Sequence, residues 1–429
     1  MNTGLSEEQQ VVVKYEGNFQ QVIAGAGSGK THTMISLLEY ILQKGEEKQE
    51  EILVITFSRK AVQEITERLE KKVGKNAVNI KTFHAYCLSV LKRYHPVYKK
   101  GLSIIEESEK EELIRAFLKK ERFKIGGIPY EFFLSGTSFT QTHFPDLAMQ
   151  IETLYSSYKE AEKKLDFDDL IQVYLNALKE NMDWALQAKK EVKRVIVDEF
   201  QDTDLVQLEW LKLLQPEKLT VVGDDWQAIY GFRGASTIPF LEFPNLFQPC
   251  EVNFLRTNYR SLPEVVKTSA IPIHKNKGNI PKEAIPKRKG KSFVYKLKLD
   301  KEDFLGLVSS LQNSKEDYKI LCRSNYRIRE YQKAGIAEDK LMTIHGSKGL
   351  EFTTVYLDLL SGWNLKPDCE KETLEEERRI LYVGLSRAKD NLFILGNRKK
   401  DKKRIEDLFF SYFRFRVSSI SKEKWEKMI

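Results

Sequence analysis

Short apolar runs alternate along this chain with stretches whose apolar positions recur at helical spacing. Phe19 to Ala24 and Ile52 to Phe57 are runs of the first kind. The second leads into Lys60 to Val73, where Ala61, Ile65 and Leu69 recur every four residues. That spacing puts three apolar side chains on one helical face, whereas a short continuous apolar run bounded by turn residues reads as a buried strand. Val195 to Val197 runs into Asp198-Glu199, and Leu219 to Val222 runs into Gly223-Asp224. Strands alternating with helices predict a parallel sheet with helices on both faces, its chemistry gathered at the carboxyl ends of the strands. Between about residues 90 and 165 the pattern is mostly helical and reads as an inserted subdomain. A second α/β block begins near Asn253, with strands that include Tyr318 to Cys322, Thr354 to Leu357 and Leu392 to Leu395. No repeat of fixed period is visible.

Composition narrows the class. A chain of 429 residues exceeds one compact core, so several domains are expected. Lys and Arg total 70 against 62 Asp and Glu, a net charge of +8 that permits contact with a polyanion without establishing it. Cys87, Cys250, Cys322 and Cys369 lie far apart with no CxxC pair. This argues against a zinc ribbon, an iron–sulfur cluster or a disulfide framework, and for a reducing compartment. Met1 to Gln10 is polar and lacks a signal-peptide core, and no apolar run approaches a membrane span. A soluble, cytoplasmic protein with no membrane partner is expected. The basic stretch Lys275 to Lys291, broken by prolines and glycines, reads as an exposed loop or hairpin. Either a solvated surface or a nucleic-acid backbone contact fits it.

Candidate chemistry begins at Gly25-Ala26-Gly27-Ser28-Gly29-Lys30-Thr31, directly after the first apolar run. A glycine-rich turn that opens a helix aims backbone N–H groups and the helix N-terminus at an anion. In such a loop Lys30 reaches the β- and γ-phosphates of a nucleoside triphosphate, and the Thr31 hydroxyl binds Mg²⁺. Asp198, at the end of its strand, is a second Mg²⁺ contact. Its neighbour Glu199 is a base for the attacking water, since hydrolysis needs a proton acceptor beside the γ-phosphate. Val222 to Gly234 (VGDDWQAIYGFRG) follows a third strand and brings Gln227 to the same sheet edge, where an amide can sense the γ-phosphate. Tyr230 and Phe232 follow closely enough to stack on bases.

With these segments in hand, the chain resembles the superfamily 1A DNA helicases of the UvrD/Rep/PcrA type, with motifs in that family's order from Gln9 to Arg387. The Gly-Asp-Asp-Trp-Gln run, containing Trp226, is most similar to the compact helicase IV branch. The resemblance implies two RecA-like P-loop NTPase motor domains in tandem, with a helical insertion in the first and no large accessory insertion in the second. Its expected division is 1–90 and 166–254 for the first motor domain, 91–165 for the insertion and 255–429 for the second. Carried onto matching residues, it implies that Gln9 reads the adenine edge, Tyr259 stacks on adenine and Glu351 meets the ribose. Arg260 and Arg387 become arginine fingers that join Lys30 at the polyphosphate. Phe57, Lys60, Thr82, His84, His345 and Lys348 become DNA or coupling contacts beside Tyr230 and Phe232. Without the resemblance, Phe57 and Phe232 read equally as core aromatics and His84 and His345 as buried histidines. Trp226 reads as packing, and Arg378 and Arg379 as paired charges on a helix surface.

The implied activity is ATP- and Mg²⁺-dependent tracking along single-stranded DNA with 3′-to-5′ polarity, acting at single-strand/duplex junctions in repair, replication or defence. The chain between Arg329 and Leu341 is too short for the family's accessory domain, and too little follows Arg387 for a fused nuclease. Those gaps keep an alternative open: an ATP-gated single-strand clamp or loading subunit that works with a separate nuclease or another repair or defence protein. A small-molecule P-loop kinase leaves the second-block arginines and the aromatics unexplained.

Overall fold

The computed structural model describes residues 4–120, 143–363, 365–399, 401 and 403–426. Part of the expected insertion, 121–142, therefore lies outside the described residues. The first half of the chain forms strands β1 (Phe19–Ala24), β2 (Ile52–Ile55), β3 (Asn79–Lys81), β4 (Ser103–Ile104), β5 (Lys164–Leu165), β6 (Arg194–Val197), β7 (Lys218–Gly223) and β8 (Cys250–Leu255). Six of them build a parallel sheet in the order β3-β2-β6-β7-β1-β8, while β4 pairs with β5 apart from it. The second half adds β9 (Thr257–Asn258), β10 (Ile285–Pro286), β11 (Val294–Leu299), β12 (Tyr318–Cys322), β13 (Leu341–Thr343), β14 (Phe352–Leu359), β15 (Ala388–Asn397) and β16 (Ser418–Ile420). Here β9 pairs with β10, and the rest form a second parallel sheet in the order β13-β12-β14-β15-β11-β16. The parallel α/β arrangement expected from the alternation is thus present twice.

Strand periodicity divides the first core in two. Ile52 and Val54 pack with Met34, Leu38 and Ile41 of the helix Lys30–Lys44 and with Ile65 and Leu69 of the helix Arg59–Val73. Leu53 and Ile55 turn to the other face, where Phe83, Leu170, Tyr174 and Trp210 are buried. The Ile52 run ends as a strand at Ile55, two residues before Phe57. There Thr56 N turns to Lys81 O at 3.0 Å, and Ser58 Oγ accepts from Ala61 N at 3.1 Å to cap the next helix. A cap of this kind contributes about 1 kcal/mol, and it sets Phe57 in the loop rather than in the sheet. Of the inserted segment, the helices Glu107–Lys120 and Pro145–Glu162 meet through Ile114, Leu118, Leu147 and Ile151.

Two surface expectations are corrected. The stretch Lys275–Lys291 is not exposed throughout: Ile285 and Pro286 form β10, and Lys282 is buried against Asp224 and Asp225. Two adjacent carboxylates in a buried loop need a cation, and this lysine supplies it. Arg379 is buried rather than on a helix surface, because its helix, Lys371–Leu385, packs against the loop that carries Trp226. Among the described residues no helix is long and apolar enough to cross a membrane.

Candidate active site

The carboxyl ends of β1, β6 and β7 meet the amino ends of β14 and β15, two inner strands of the second sheet, around a cavity of about 790 Å³. The loop Gly25–Gly29 forms its floor, and Glu199, Gln227, Tyr259, Arg260, Glu351 and Arg387 line the rest. Gly27 and Gly29 sit at φ +71° and +82°, where a side chain is strained. A Cβ on Gly27 would also lie 2.7 Å from Arg260 Cβ, whereas one on Gly25 would meet nothing. Ser28 Oγ is buried with no hydrogen-bond partner. An orphaned hydroxyl beside a helix N-terminus and a left-handed glycine pair fits an anion cradle. Thr31 and Asp198 add one hydroxyl and one carboxylate, the small protein share usual for a Mg²⁺ that keeps waters and phosphate oxygens.

Lys30 Nζ lies 2.9 Å from Glu199 Oε1, and Gln201 Nε2 donates to Glu199 Oε2 at 2.5 Å. Glu199 itself is held at φ +52°, a left-handed backbone that is costly for a residue with a side chain and recurs at functional sites. Burial pushes both neighbouring carboxyls up. For Glu199 the charges of Lys30 and Lys348 outweigh burial and hold it low, whereas Asp198, beside the charged Glu199, stays raised. The environments thus push the pair apart, with Glu199 the one held toward its charged form.

Arg387 is almost fully enclosed. Its Nη2 donates to Gln227 Oε1 at 3.0 Å, Nη1 to Leu350 O at 3.2 Å and Nε to Val383 O at 3.0 Å. Burial, then the charge of Arg260, brings its guanidinium down to about 9. The Arg260 side chain is tied to the second lobe: Nε donates to Glu351 Oε2 at 2.7 Å and Nη1 to Ser386 O at 3.2 Å. Its backbone is tied the other way, since Asn258 Nδ2 donates to Ala26 O at 2.7 Å and Tyr259 N to Gly27 O at 2.8 Å. Gln9 is also at the cavity wall, its Oε1 accepting from Ser6 N at 3.0 Å. Glu351, expected at a ribose, is here the ion-pair partner of Arg260.

The residues expected to contact DNA divide into two groups. Phe57 stacks on Tyr230 with planes 5° apart and centroids at 6.1 Å; Tyr230 and Phe232 both reach His345 of the second lobe. Lys348 lies 4.8 Å from the Tyr230 ring, ion-pairs with Asp202 and donates to Gln227 O at 2.9 Å. It therefore links the aromatic cluster to the cavity. Phe232 is 65% exposed, so it is not a core aromatic, and Lys60 is exposed on its helix. His345 is partly buried with Nε2 unpartnered; burial, then Arg323, pushes it down to about 4. Thr82 instead caps the helix Phe83–Tyr94, and His84 meets the edge of Phe167, with no ring contact to the cluster among the described residues. Trp226 is buried between His274 and Tyr382.

Four supporting residues escaped the sequence reading. Gln201 orients Glu199 and accepts from Asp224 N at 2.9 Å; Asp202 holds Lys348; Asn258 ties Ala26 O to Arg260 N; Lys282 neutralises Asp224. Gln201 and Asp202 follow Glu199 by two and three residues and Asn258 precedes Arg260 by two, so their nearness to residues already singled out was the available signal. Lys282 offered only its place in a basic run.

Comparisons with known proteins bear on the family of the chain. The family model described as the UvrD/REP helicase N-terminal domain matches residues 5–248, and the UvrD-like helicase C-terminal domain matches residues 332–399. The chain is similar to the ATP-dependent DNA helicase PcrA of Staphylococcus aureus, 30% identical over 298 residues, which is 65% of this chain and 41% of that protein. It is equally similar to the protein of that name from Staphylococcus epidermidis, 30% identical over 297 residues, with the same shares. The chain thus spans less than half the length of these relatives.

Proposed function

The chain belongs to the UvrD/REP helicase family, its two parallel sheets being the tandem RecA-like motor domains, and on that premise we propose that it hydrolyses ATP to move along single-stranded DNA. The observation that carries the proposal is Arg387 on Gln227, with Lys30, Glu199 and Arg260 round the same cavity. Three cations facing one cavity suit a polyphosphate whose transition state spreads negative charge, and arginine fingers contribute about 10³–10⁵ in rate. Lys30 and the loop N–H groups would hold the phosphates, and Thr31 and Asp198 would hold a Mg²⁺ that offsets phosphate charge. Glu199 takes the proton of the attacking water. Gln9 and Tyr259 hold the adenine, and Glu351 leaves Arg260 for the ribose.

Domain closure brings the second lobe's Arg387 onto the γ-phosphate, and its release lets the lobes part. Lys348 and His345 pass that motion to Phe57, Tyr230 and Phe232, where stacking holds each base by about 1–3 kcal/mol whatever the sequence. Lys60, Thr82 and His84 extend the strand path. The proposal includes 3′-to-5′ polarity, the domain division given above and a preference for single-strand/duplex junctions. ATPase rate with single-stranded DNA, duplex DNA or RNA, followed by strand displacement on duplexes tailed at either end, tests it. Turnover indifferent to DNA would refute it. Strong single-strand stimulation without displacement would instead favour the ATP-gated clamp, for which the short link between Arg329 and Leu341 speaks.

A further inference from the structure

Lys282 belongs to the segment leading into the second sheet, yet its ammonium is sunk in the first lobe. Its side chain is 5% exposed, against 0% and 1% for Asp224 and Asp225. Nζ lies 2.8 Å from Asp224 Oδ1, pairs with Asp225 Oδ1 and sits 4.6 Å from the Trp226 ring centroid. The flanking backbone is fixed as well: Ile280 N donates to Asp225 Oδ2 at 2.8 Å, and Trp226 Nε1 donates to Ile280 O at 3.3 Å. The other Asp224 oxygen accepts from Gln227 Nε2 at 2.6 Å, which leaves Gln227 Oε1 facing Arg387. Lys282, Asp224, Gln227 and Arg387 form one line of polar contacts ending at the cavity.

We propose that Lys282 is a positioning residue for the γ-phosphate response: by engaging Asp224 it fixes the Gln227 amide and leaves Arg387 free to exchange Gln227 for a phosphate oxygen. The inference rests on the ATPase reading above. A buried carboxylate stripped of its cation draws the next one available. Arg387 and Lys30 both feel the Asp224 charge, and both are needed at the cavity. Lys282 itself lines a different cavity from the one that holds Lys30, so it acts on that site through its neighbours, of which Asp224 touches the Gln227 side chain. The ion pair with Asp225 and the cation–π contact with Trp226 also hold the ammonium in place.

The test uses the full chain, with Mg²⁺, measuring by calorimetry the dissociation constants of ADP and of the non-hydrolysable analogue AMP-PNP, beside DNA-stimulated turnover and thermal melting. Wild-type turnover that does not respond to single-stranded DNA would sink the ATPase reading itself, whatever Lys282 does. With that response in place, Lys282→Met is expected to lose about fivefold or more of the preference for the analogue over ADP, with ADP affinity held within about twofold. Its stimulated kcat falls about tenfold. Adding Asp224→Asn removes the stranded charge that touches Gln227, leaving only that of Asp225, and restores most of both, and Lys282→Arg stays near wild type. Wild-type preference in Lys282→Met overturns the proposal. So does a parallel loss of both affinities, or a loss that Asp224→Asn leaves unrepaired. If Lys282→Met does not fold, Lys282→Gln carries the same comparison.

Discussion

Glu199→Gln separates holding the substrate from cleaving it. Lys30 Nζ lies 2.9 Å from Glu199 Oε1, with the side chains 14% and 26% exposed, so Lys30 must exchange this partner to bond a phosphate. A charge-assisted hydrogen bond contributes roughly 1.5–3 kcal/mol when buried, and solvent at this half-open site reduces that to about 1 kcal/mol. In the amide variant, Oε1 serves either Lys30 or Gln201, and the carboxylate charge is gone. Lys30 is then released more easily, and affinity for MgATP rises about fivefold. Turnover falls about 10²–10⁴-fold, because an amide cannot take the water's proton. Calorimetric titration with MgATP and single-turnover hydrolysis on single-stranded DNA measure the two effects separately. Hydrolysis within about threefold of wild type would place the base elsewhere, and a tenfold weaker affinity would make Glu199 a binding contact.

Other perturbations probe the rest of the site. Phe232→Ala should weaken single-strand binding by about 1–3 kcal/mol in fluorescence titrations while leaving DNA-free ATPase unchanged; undiminished binding would remove Phe232 from the strand path. His345 has a folded pKa near 4, below its unfolded value, so the unfolded chain binds the extra proton between the two. Stability from this group is full above about pH 6.5 and is lost as pH falls toward 4, by at most about 1.4 kcal/mol per unit. Melting curves of His345→Asn should therefore fall less steeply than wild type over that window, and parallel curves would show that His345 is charged in the fold. Gly27→Ala should lower the melting temperature through a left-handed strain of about 1–3 kcal/mol and its clash with Arg260, while Gly25→Ala should not. Equal melting of the two variants would remove the backbone argument for the cradle. Lys30→Ala should abolish turnover, and retained activity would count against Lys30 as the phosphate contact.

Much of the fold was legible because it follows local rules. β1 and β12 coincide with the largely apolar runs read from sequence, since each is a mostly buried strand of a parallel sheet bounded by polar or turn residues. Phe57 was assigned to a strand because it continues an apolar run; only the pull of Lys81 O on Thr56 N and the Ser58 cap end that strand early. The loops around the cavity were legible because each follows such a strand. What the sequence hid are the partners of charged side chains. Nothing in a lysine flanked by prolines and glycines says that two carboxylates far back in the chain will bury it, as Asp224 and Asp225 bury Lys282. Lys348 was obscure for the same reason: its partner Asp202 sits on an element that tertiary packing alone delivers.

The segment from Thr257 to Leu262 is bonded to both halves of the molecule: Asn258 and Tyr259 to the Gly25–Gly29 turn, and Ser261 and Leu262 to Ala388 and Lys389 at 2.6 and 2.9 Å. Such a double anchorage acts as a fulcrum. Rotation about it displaces Arg260 little and displaces most whatever lies farthest from it, so under the proposed function a small phosphate-driven tilt would be geared up into stride length. Lengthening that segment by one residue should slacken the gearing, leaving fuel consumption high and distance travelled per molecule consumed low.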